Sequence, residues 1–182
     1  NSLIVATQGR SIWMLDDLTV IHQLSSSVDE ERLYKPKDSY RMRGAGGRKS
    51  LTAGTNLPNG VIIHYFLPSF DKESDEVKLS IHSKDGSLIK EFSNKSKENL
   101  MKVKKGGNSF VWNMKYSGAK RLDKMVLWGA DFSGAKAVPG NYTVKLKVNE
   151  KELTQDFIIH KDPTSEGSIE DIKAQFEFVN EI

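Results

Sequence analysis

The sequence contains no cysteine, which excludes disulfide bonds, thiolate metal sites and cysteine nucleophiles. This absence does not exclude export, because a domain formed by a chain of 182 residues can be held together by its hydrophobic core alone. No apolar run approaches the roughly 20 residues that a membrane-spanning helix needs, so no membrane span is predicted. A large excess of one charge is also lacking, since 27 basic and 24 acidic side chains leave a formal net charge of +3. The composition therefore gives no reason to expect a nucleic-acid partner.

The sequence has little that could form a catalytic or metal centre. No G-x-S-x-G nucleophile motif occurs, and no two histidines have the H-x-x-x-H spacing of a metal pair. The adjacent Asp16 and Asp17 invite a general acid–base interpretation. Neighbouring side chains on a strand point to opposite faces, however, so turn capping is favoured. We predict no catalytic residue, no metal and no cofactor, and hence no enzyme activity for this part of the protein.

Alternating apolar and polar residues dominate what the sequence does contain, and this pattern is typical of β-strands. The clearest alternation runs from Tyr142 to Val148, and a second runs from Val77 to Ile81. The run from Val61 to Leu67 is apolar on both faces, which predicts a central or covered strand. Turn signals at Asp85-Gly86 and Pro139-Gly140 lie between such runs.

The stretch from Gly106 to Leu146 contains two of the three tryptophans. Phe110 and Trp112 share one strand face, and the pattern F-x-W followed by PG-x-Y-x-V-x-L closes the stretch. This pattern resembles the last strands of Ig-like domains in bacterial extracellular proteins. Seven or eight short strands over about a hundred residues fit that resemblance. The expected fold is mainly β: an Ig-like or fibronectin-III-like antiparallel β-sandwich with a C-terminal amphipathic helix.

The C-terminal helix is predicted from a cap and an apolar stripe. Ser168 can cap a helix together with Asp171 three residues later. The apolar side chains that follow recur at helical spacing. They are Ile169, Ile172, Phe176 and Val179.

Two short apolar runs, Leu3 to Ala6 and Ile12 to Leu15, flank a turn at Gly9 and predict a β-hairpin near the start of the chain. The segment ATQGRSIWMLDD resembles the last-blade segment that ends the β-propeller of bacterial BNR-repeat, sortilin-like proteins, which are often labelled glycosyl hydrolases. Residues 56–60, NLPNG, resemble an NPP-x-G segment of the same family, with Leu57 departing from the pattern. The resemblance implies that the hairpin is the tail of an upstream propeller.

These observations predict a division of the chain into four parts. Residues 1–24 are the last strands of a propeller, 25–59 a linker or extended segment, 60–163 the Ig-like sandwich and 164–182 the start of a helical segment. The chain opens without a methionine in a strand-like run, and we interpret it as a piece whose targeting segment and upstream domain are missing. The protein is therefore expected to be secreted, periplasmic or on the cell surface.

The expected function is that of a non-catalytic structural or accessory domain of a multidomain propeller protein. Its expected partner is the upstream propeller of the same polypeptide, with Ile12 and Trp13 anchoring the propeller exit; a further glycan or protein ligand is left open. The alternative is a carbohydrate-binding module in which Trp13, Trp112 and Trp128 are exposed. Core packing is favoured for Trp112, and the two interpretations are evenly balanced for Trp128.

Two further interpretations of the sequence stay open. In the first, the chain is part of an enzyme that uses Asp16, Asp17 or Asp131. In the second, the C-terminal helix serves oligomerisation or docking.

Overall fold

The computed structural model describes residues 2–9, 11–24, 29–42, 57–119, 129 and 132–181. The described residues form ten β-strands and two helices, so the coarse prediction of a mainly β fold with a C-terminal helix is confirmed. The strands are β1 Leu3–Ala6, β2 Ile12–Leu15, β3 Arg32–Leu33, β4 Ser39–Arg41, β5 Val61–Leu67, β6 Val77–Ser83, β7 Leu88–Ser93, β8 Gly106–Trp112, β9 Gly140–Val148 and β10 Lys151–Lys161. The helices are α1 Thr19–Gln23 and α2 Ile169–Glu181.

The strands form three sheets. β1 and β2 form a two-stranded hairpin, and β3, β5 and β8 form a three-stranded sheet with β5 in the centre. The remaining strands form a five-stranded sheet in the order β4-β10-β9-β6-β7, which curls into a half-barrel. Every strand pairing is antiparallel except that of β4 with β10, which is parallel. The sequence prediction of a central strand from Val61 to Leu67 agrees with the position of β5.

One hydrophobic core lies between the three-stranded and five-stranded sheets, and strand alternation builds it. Every second side chain is buried from Val61 to Leu67 in β5, from Val77 to Ile81 in β6 and from Tyr142 to Val148 in β9, as the period of two requires. Trp112 of the smaller sheet lies with its ring centroid 6.0 Å from that of Tyr142 and 6.3 Å from that of Phe157 in the larger sheet. This aromatic cluster joins the two sheets across the core.

Two strands arise from the segment predicted to be a linker or extended chain. β3 pairs with β5 in the smaller sheet, and β4 pairs with β10 at the edge of the larger sheet. Side chains hold the segment on β10: the Gln155 amide donates to the Leu33 carbonyl at 3.3 Å, and Asp38 accepts from the Ile158 N–H at 3.1 Å. The segment from residue 29 to 42 therefore contributes a strand to each sheet.

Two short elements differ from what their sequence suggests. The apolar residues from Leu18 to Leu24 would also suit a short strand, but Thr19–Gln23 forms helix α1, with Leu18 as its N-cap residue. In the turn before the helix, the Asp17 carboxylate accepts a hydrogen bond from the Thr19 N–H at 2.9 Å. Leu100 to Val103, which also reads as a strand, makes only an isolated bridge. Its Met101 is buried, because the Met101 N–H bonds to the Ser93 carbonyl at 2.9 Å and directs the chain over the core.

The C-terminal helix α2 begins with the predicted cap. The Ser168 N–H donates to Asp171 at 2.8 Å, and the Asp171 N–H donates back to the Ser168 hydroxyl at 3.0 Å. Ile172 is buried, and the Phe176 ring packs edge-on against Tyr116 at 4.8 Å. Within the described residues, neither helix has the length and apolar character needed to cross a membrane. The apolar run from Met125 to Trp128, a pattern that predicts a short strand, lies outside the described residues.

Candidate functional site

The hairpin of β1 and β2 is the feature of this structure that most needs a partner. The two strands pair in register, with Val5 opposite Trp13 and Ala6 opposite Ile12. Because directly opposite residues share a face, one face carries Leu3, Val5, Trp13 and Leu15, and the other carries Ile4, Ala6, Ile12 and Met14. Both faces of the hairpin are therefore apolar along their whole length.

Every side chain of the hairpin strands is exposed. The exposed fraction reaches 73% for Ile12 and 67% for Trp13. The hairpin shares no sheet with the other described strands, so the outer edge of each of its strands offers unpaired backbone groups. A two-stranded hairpin is marginally stable alone in water, and a contiguous apolar patch with free strand edges marks an interaction surface.

The loop of the hairpin is closed by its own hydrogen bonds. The Thr7 N–H and hydroxyl both donate to the Ser11 carbonyl, at 3.3 and 3.1 Å. Gly9 adopts a φ of +76°, a left-handed conformation that glycine tolerates without steric cost. These bonds define the hairpin's shape even though its faces have no partner among the described residues.

The base of the hairpin is fixed to the body through helix α1. The Gln23 amide donates to the Lys35 carbonyl at 3.0 Å, and its oxygen accepts from the Lys35 N–H at 2.8 Å. Gln23 thus bonds to both backbone groups of one residue, much as a neighbouring strand would. The hairpin projects from the point at which the chain is held in this way.

An aspartate–histidine contact joins the same base to the central strand of the smaller sheet. Asp17 lies 4.0 Å from the Nε2 atom of His64, and 17% and 29% of their respective side chains are exposed. Burial acts to raise the pKa of Asp17, but hydrogen bonds from Thr19 and the charges of Lys37 and His64 outweigh it, and the pKa lies below its ordinary value. Burial lowers the pKa of His64, and the charge of Asp17 offsets only part of that effect. Both shifts favour an ionised Asp17 beside a neutral His64 at neutral pH.

The tryptophans singled out in the sequence lie in different environments. Trp112 is fully buried, and its indole N–H donates to the Lys115 carbonyl at 3.1 Å. It therefore cannot be part of an exposed aromatic surface. Trp13 is exposed on the hairpin, and Trp128 and Asp131 lie outside the described residues. Trp112 and Trp13 lie on separate sheets, Trp112 at the end of β8 and Trp13 on β2.

Asp17 has a role that the sequence alone did not reveal. It accepts a hydrogen bond from the Thr19 N–H at the beginning of helix α1 and lies 4.0 Å from His64. Within the described residues, no group of three histidine, aspartate or glutamate side chains is arranged to hold a metal ion. The contacts of Asp17 link the base of the hairpin to strand β5. The Asp17–His64 contact brings together residues 47 positions apart and has no local sequence signal.

Comparisons with protein-family models, curated proteins and solved structures gave no significant match for this chain. The resemblance to BNR-repeat, sortilin-like propeller proteins therefore stays a prediction.

Proposed function

We propose that this chain is a non-catalytic accessory domain that packs against a β-propeller of the same secreted, periplasmic or cell-surface polypeptide. The observation that carries the proposal is the hairpin, which is apolar and exposed on both faces. In this proposal the hairpin adds two strands to a sheet of the propeller. Helix α1, held by the two hydrogen bonds between Gln23 and the Lys35 backbone, connects that sheet to the body.

The two-sided apolar character of the hairpin constrains what its partner can be. A hairpin that lies on a surface buries one face and leaves the other in water, so it needs only one apolar face. Strands that are apolar on both faces suit a sheet covered on each side. The blades of a propeller meet this requirement, because each blade is a small sheet lying between two neighbouring blades. The ATQGRSIWMLDD segment, which resembles a last-blade segment, supports the same partner.

We propose further that the body is an Ig-like β-sandwich. The order β3-β5-β8 facing β4-β10-β9-β6-β7 fits a sandwich in which β5, β6, β9 and β10 take the places of Ig strands B, C, F and G. A tyrosine near the start of strand F that bonds back to upstream backbone is a hallmark of that fold. Here the Tyr142 hydroxyl, near the start of β9, donates to the Val138 carbonyl at 2.6 Å. Burial raises the pKa of Tyr142, which keeps that hydroxyl protonated as a donor.

Hydrogen exchange tests the docking of the hairpin. The experiment compares the 182-residue chain with a longer protein in which the proposed upstream propeller precedes it. We expect slow exchange for the amides of β1 and β2 in the longer protein only, because there both strand edges and both faces are covered. Equal exchange of these amides in the two proteins would refute the proposal.

Substitutions in the longer protein provide the matched control. Trp13→Asp should restore rapid exchange across the hairpin, because a charge would then face the buried interface. Phe178→Asp is the control, since Phe178 of α2 is 63% exposed, nearly as much as Trp13, but lies far from the hairpin in sequence. If both variants change hairpin exchange equally, the docking surface is not the hairpin.

A further inference from the structure

A cleft beside edge strand β4 combines an exposed aromatic ring with several hydrogen-bond acceptors. It has a volume of about 480 Å³ and lies between β4 and the segment 57–62 that leads into β5, with Asp17 also in its lining. Met42, Leu57 and Ile62 are among the apolar side chains that line it. The volume and the apolar lining are those of a small-molecule site, for which about 300–1,000 Å³ is usual.

The aromatic ring of the cleft is Tyr40, and it is held in place by its neighbours on β10. Tyr40 lies directly opposite His160 in the parallel pairing, with ring centroids 5.4 Å apart and an interplanar angle of 40°. Asp38 holds His160 in turn, because one carboxylate oxygen lies 3.6 Å from its Nε2 atom while the other accepts from the Ile158 N–H at 3.1 Å. Tyr40 remains 50% exposed. The cleft therefore offers a pre-positioned aromatic side chain, whose ordering costs a ligand little entropy.

The polar groups of the cleft are mostly acceptors. The acceptors are the carboxylates of Asp17 and Asp38 and the side-chain oxygen of Asn59. Among the described residues that line the cleft, Lys37 is the one cationic side chain. The Asn59 amide nitrogen already donates to the Met42 carbonyl at 3.2 Å, which leaves its oxygen for a ligand. Each carboxylate oxygen accepts more than one hydrogen bond, so Asp38 keeps acceptor capacity beyond its contacts with the protein. A ligand rich in hydroxyl donors fits this set of groups.

We propose that this cleft binds a neutral saccharide, with a pyranose ring packed on Tyr40 and hydroxyl groups donating to Asp38 and Asn59. C–H groups line the apolar face of a sugar ring. Their hydrogen atoms carry a small positive charge, which is attracted to the negative face of an aromatic ring. An acidic saccharide would be repelled by the carboxylates of Asp17 and Asp38. A peptide strand brings as many carbonyl acceptors as N–H donors, which matches an acceptor-rich cleft less well. The side chains proposed to contact the saccharide, Tyr40, Asp38 and Asn59, lie outside the hairpin, so this proposal does not depend on what the hairpin docks against.

Isothermal titration of the 182-residue chain tests the proposal. The probes are cellohexaose, maltohexaose, xylohexaose and mannohexaose, with hexagalacturonate as the acidic control and the β9 sequence GNYTVKLKV as a strand-forming peptide. We expect saturable binding of at least one neutral hexasaccharide. Tyr40→Ala should weaken that binding at least tenfold, whereas Tyr40→Phe should keep it within about threefold, because the ring is retained. Asn59→Ala should weaken it several-fold while the thermal midpoint stays unchanged.

Two variants locate the site and separate it from the hairpin. Trp13→Ala and Phe178→Ala each remove an exposed aromatic side chain outside the cleft, and neither should change saccharide affinity. Loss of binding in Trp13→Ala would place the site on the hairpin and overturn the proposal. It would also be overturned if no neutral hexasaccharide binds, if only hexagalacturonate or the peptide binds, or if a folded Tyr40→Ala binds as the unchanged chain does.

Discussion

Trp112→Ala should destabilise the body of the protein by about 4 kcal/mol, within the range of about 3–5 kcal/mol for truncation of a buried aromatic residue. Trp112 has no exposed surface, contacts Tyr142 and Phe157 across the core, and loses its 3.1 Å hydrogen bond to Lys115 when truncated. Domains are typically stable by about 5–15 kcal/mol, so the loss is a large part of the total. Trp13→Ala should change the free energy of unfolding by less than about 0.5 kcal/mol, because Trp13 is 67% exposed.

Urea denaturation followed by far-ultraviolet circular dichroism measures both effects. With a slope of about 2 kcal/mol per molar urea, the Trp112→Ala midpoint should fall by about 2 M while the Trp13→Ala midpoint stays in place. Trp112→Phe should lie between them, at about 2 kcal/mol, because it keeps a ring but loses the N–H donor. If Trp13→Ala cost as much as Trp112→Ala, the hairpin would be packed on the body, and the argument that its faces are free for a partner would fail.

Three further predictions concern single positions. Gly60→Ala should lower the free energy of unfolding by about 1–3 kcal/mol, because the added Cβ atom would lie 2.4 Å from the Trp112 carbonyl oxygen. Gly107→Ala is the control: its Cβ atom would have no other atom within 4 Å, so the same urea titration should show a far smaller loss. Because the pKa of His64 is lower in the folded protein than in the unfolded chain, the imidazole is protonated at a higher pH in the unfolded chain. The free energy of unfolding should therefore fall as the pH drops from about 6.5 towards the folded-state pKa. His64→Phe should flatten that part of the pH profile, and parallel profiles would contradict the assignment. Ser168→Ala should speed amide hydrogen exchange in the first turn of α2, because loss of the cap lowers the stability of that turn by about 1 kcal/mol. Unchanged exchange there would mean that the cap is not formed in solution.

The sequence predicts the strands whose side chains alternate over six or more residues. Tyr142 to Val148 has that pattern because one face of the strand is buried in the core. Val61 to Leu67 is predicted by a different signal, a run that is apolar on both faces, and it forms the central strand β5. The hairpin of β1 and β2 is also predicted, since two apolar runs flank Gly9. The capping pair at Ser168 marks the start of α2 at its correct residue.

Other parts of the structure depend on contacts that the local sequence does not encode. β3 and β4 have only two and three residues, which is too short for a period of two to be detected, and their pairing is decided by β5 and β10. Helix α1 is flanked by two hydrogen-bonded contacts: the Asp17 carboxylate accepts from the Thr19 N–H before it, and Gln23 at its end bonds to the backbone of Lys35. The Tyr40 cleft joins residues from three separate parts of the chain, so no single segment could indicate it.

The parallel pairing of β4 with β10 has a mechanical consequence. Tension applied between the hairpin and the C-terminal helix would pull Ser39 of β4 and Lys161 of β10 in opposite directions along their common axis. The hydrogen bonds between the two strands would then be loaded in shear, all at once, because neither strand end can peel away first. In an antiparallel pair pulled from its adjacent ends, the bonds would open one after another. The pairing of β4 with β10 would therefore resist a pulling force between the hairpin and α2 by shear of its hydrogen bonds.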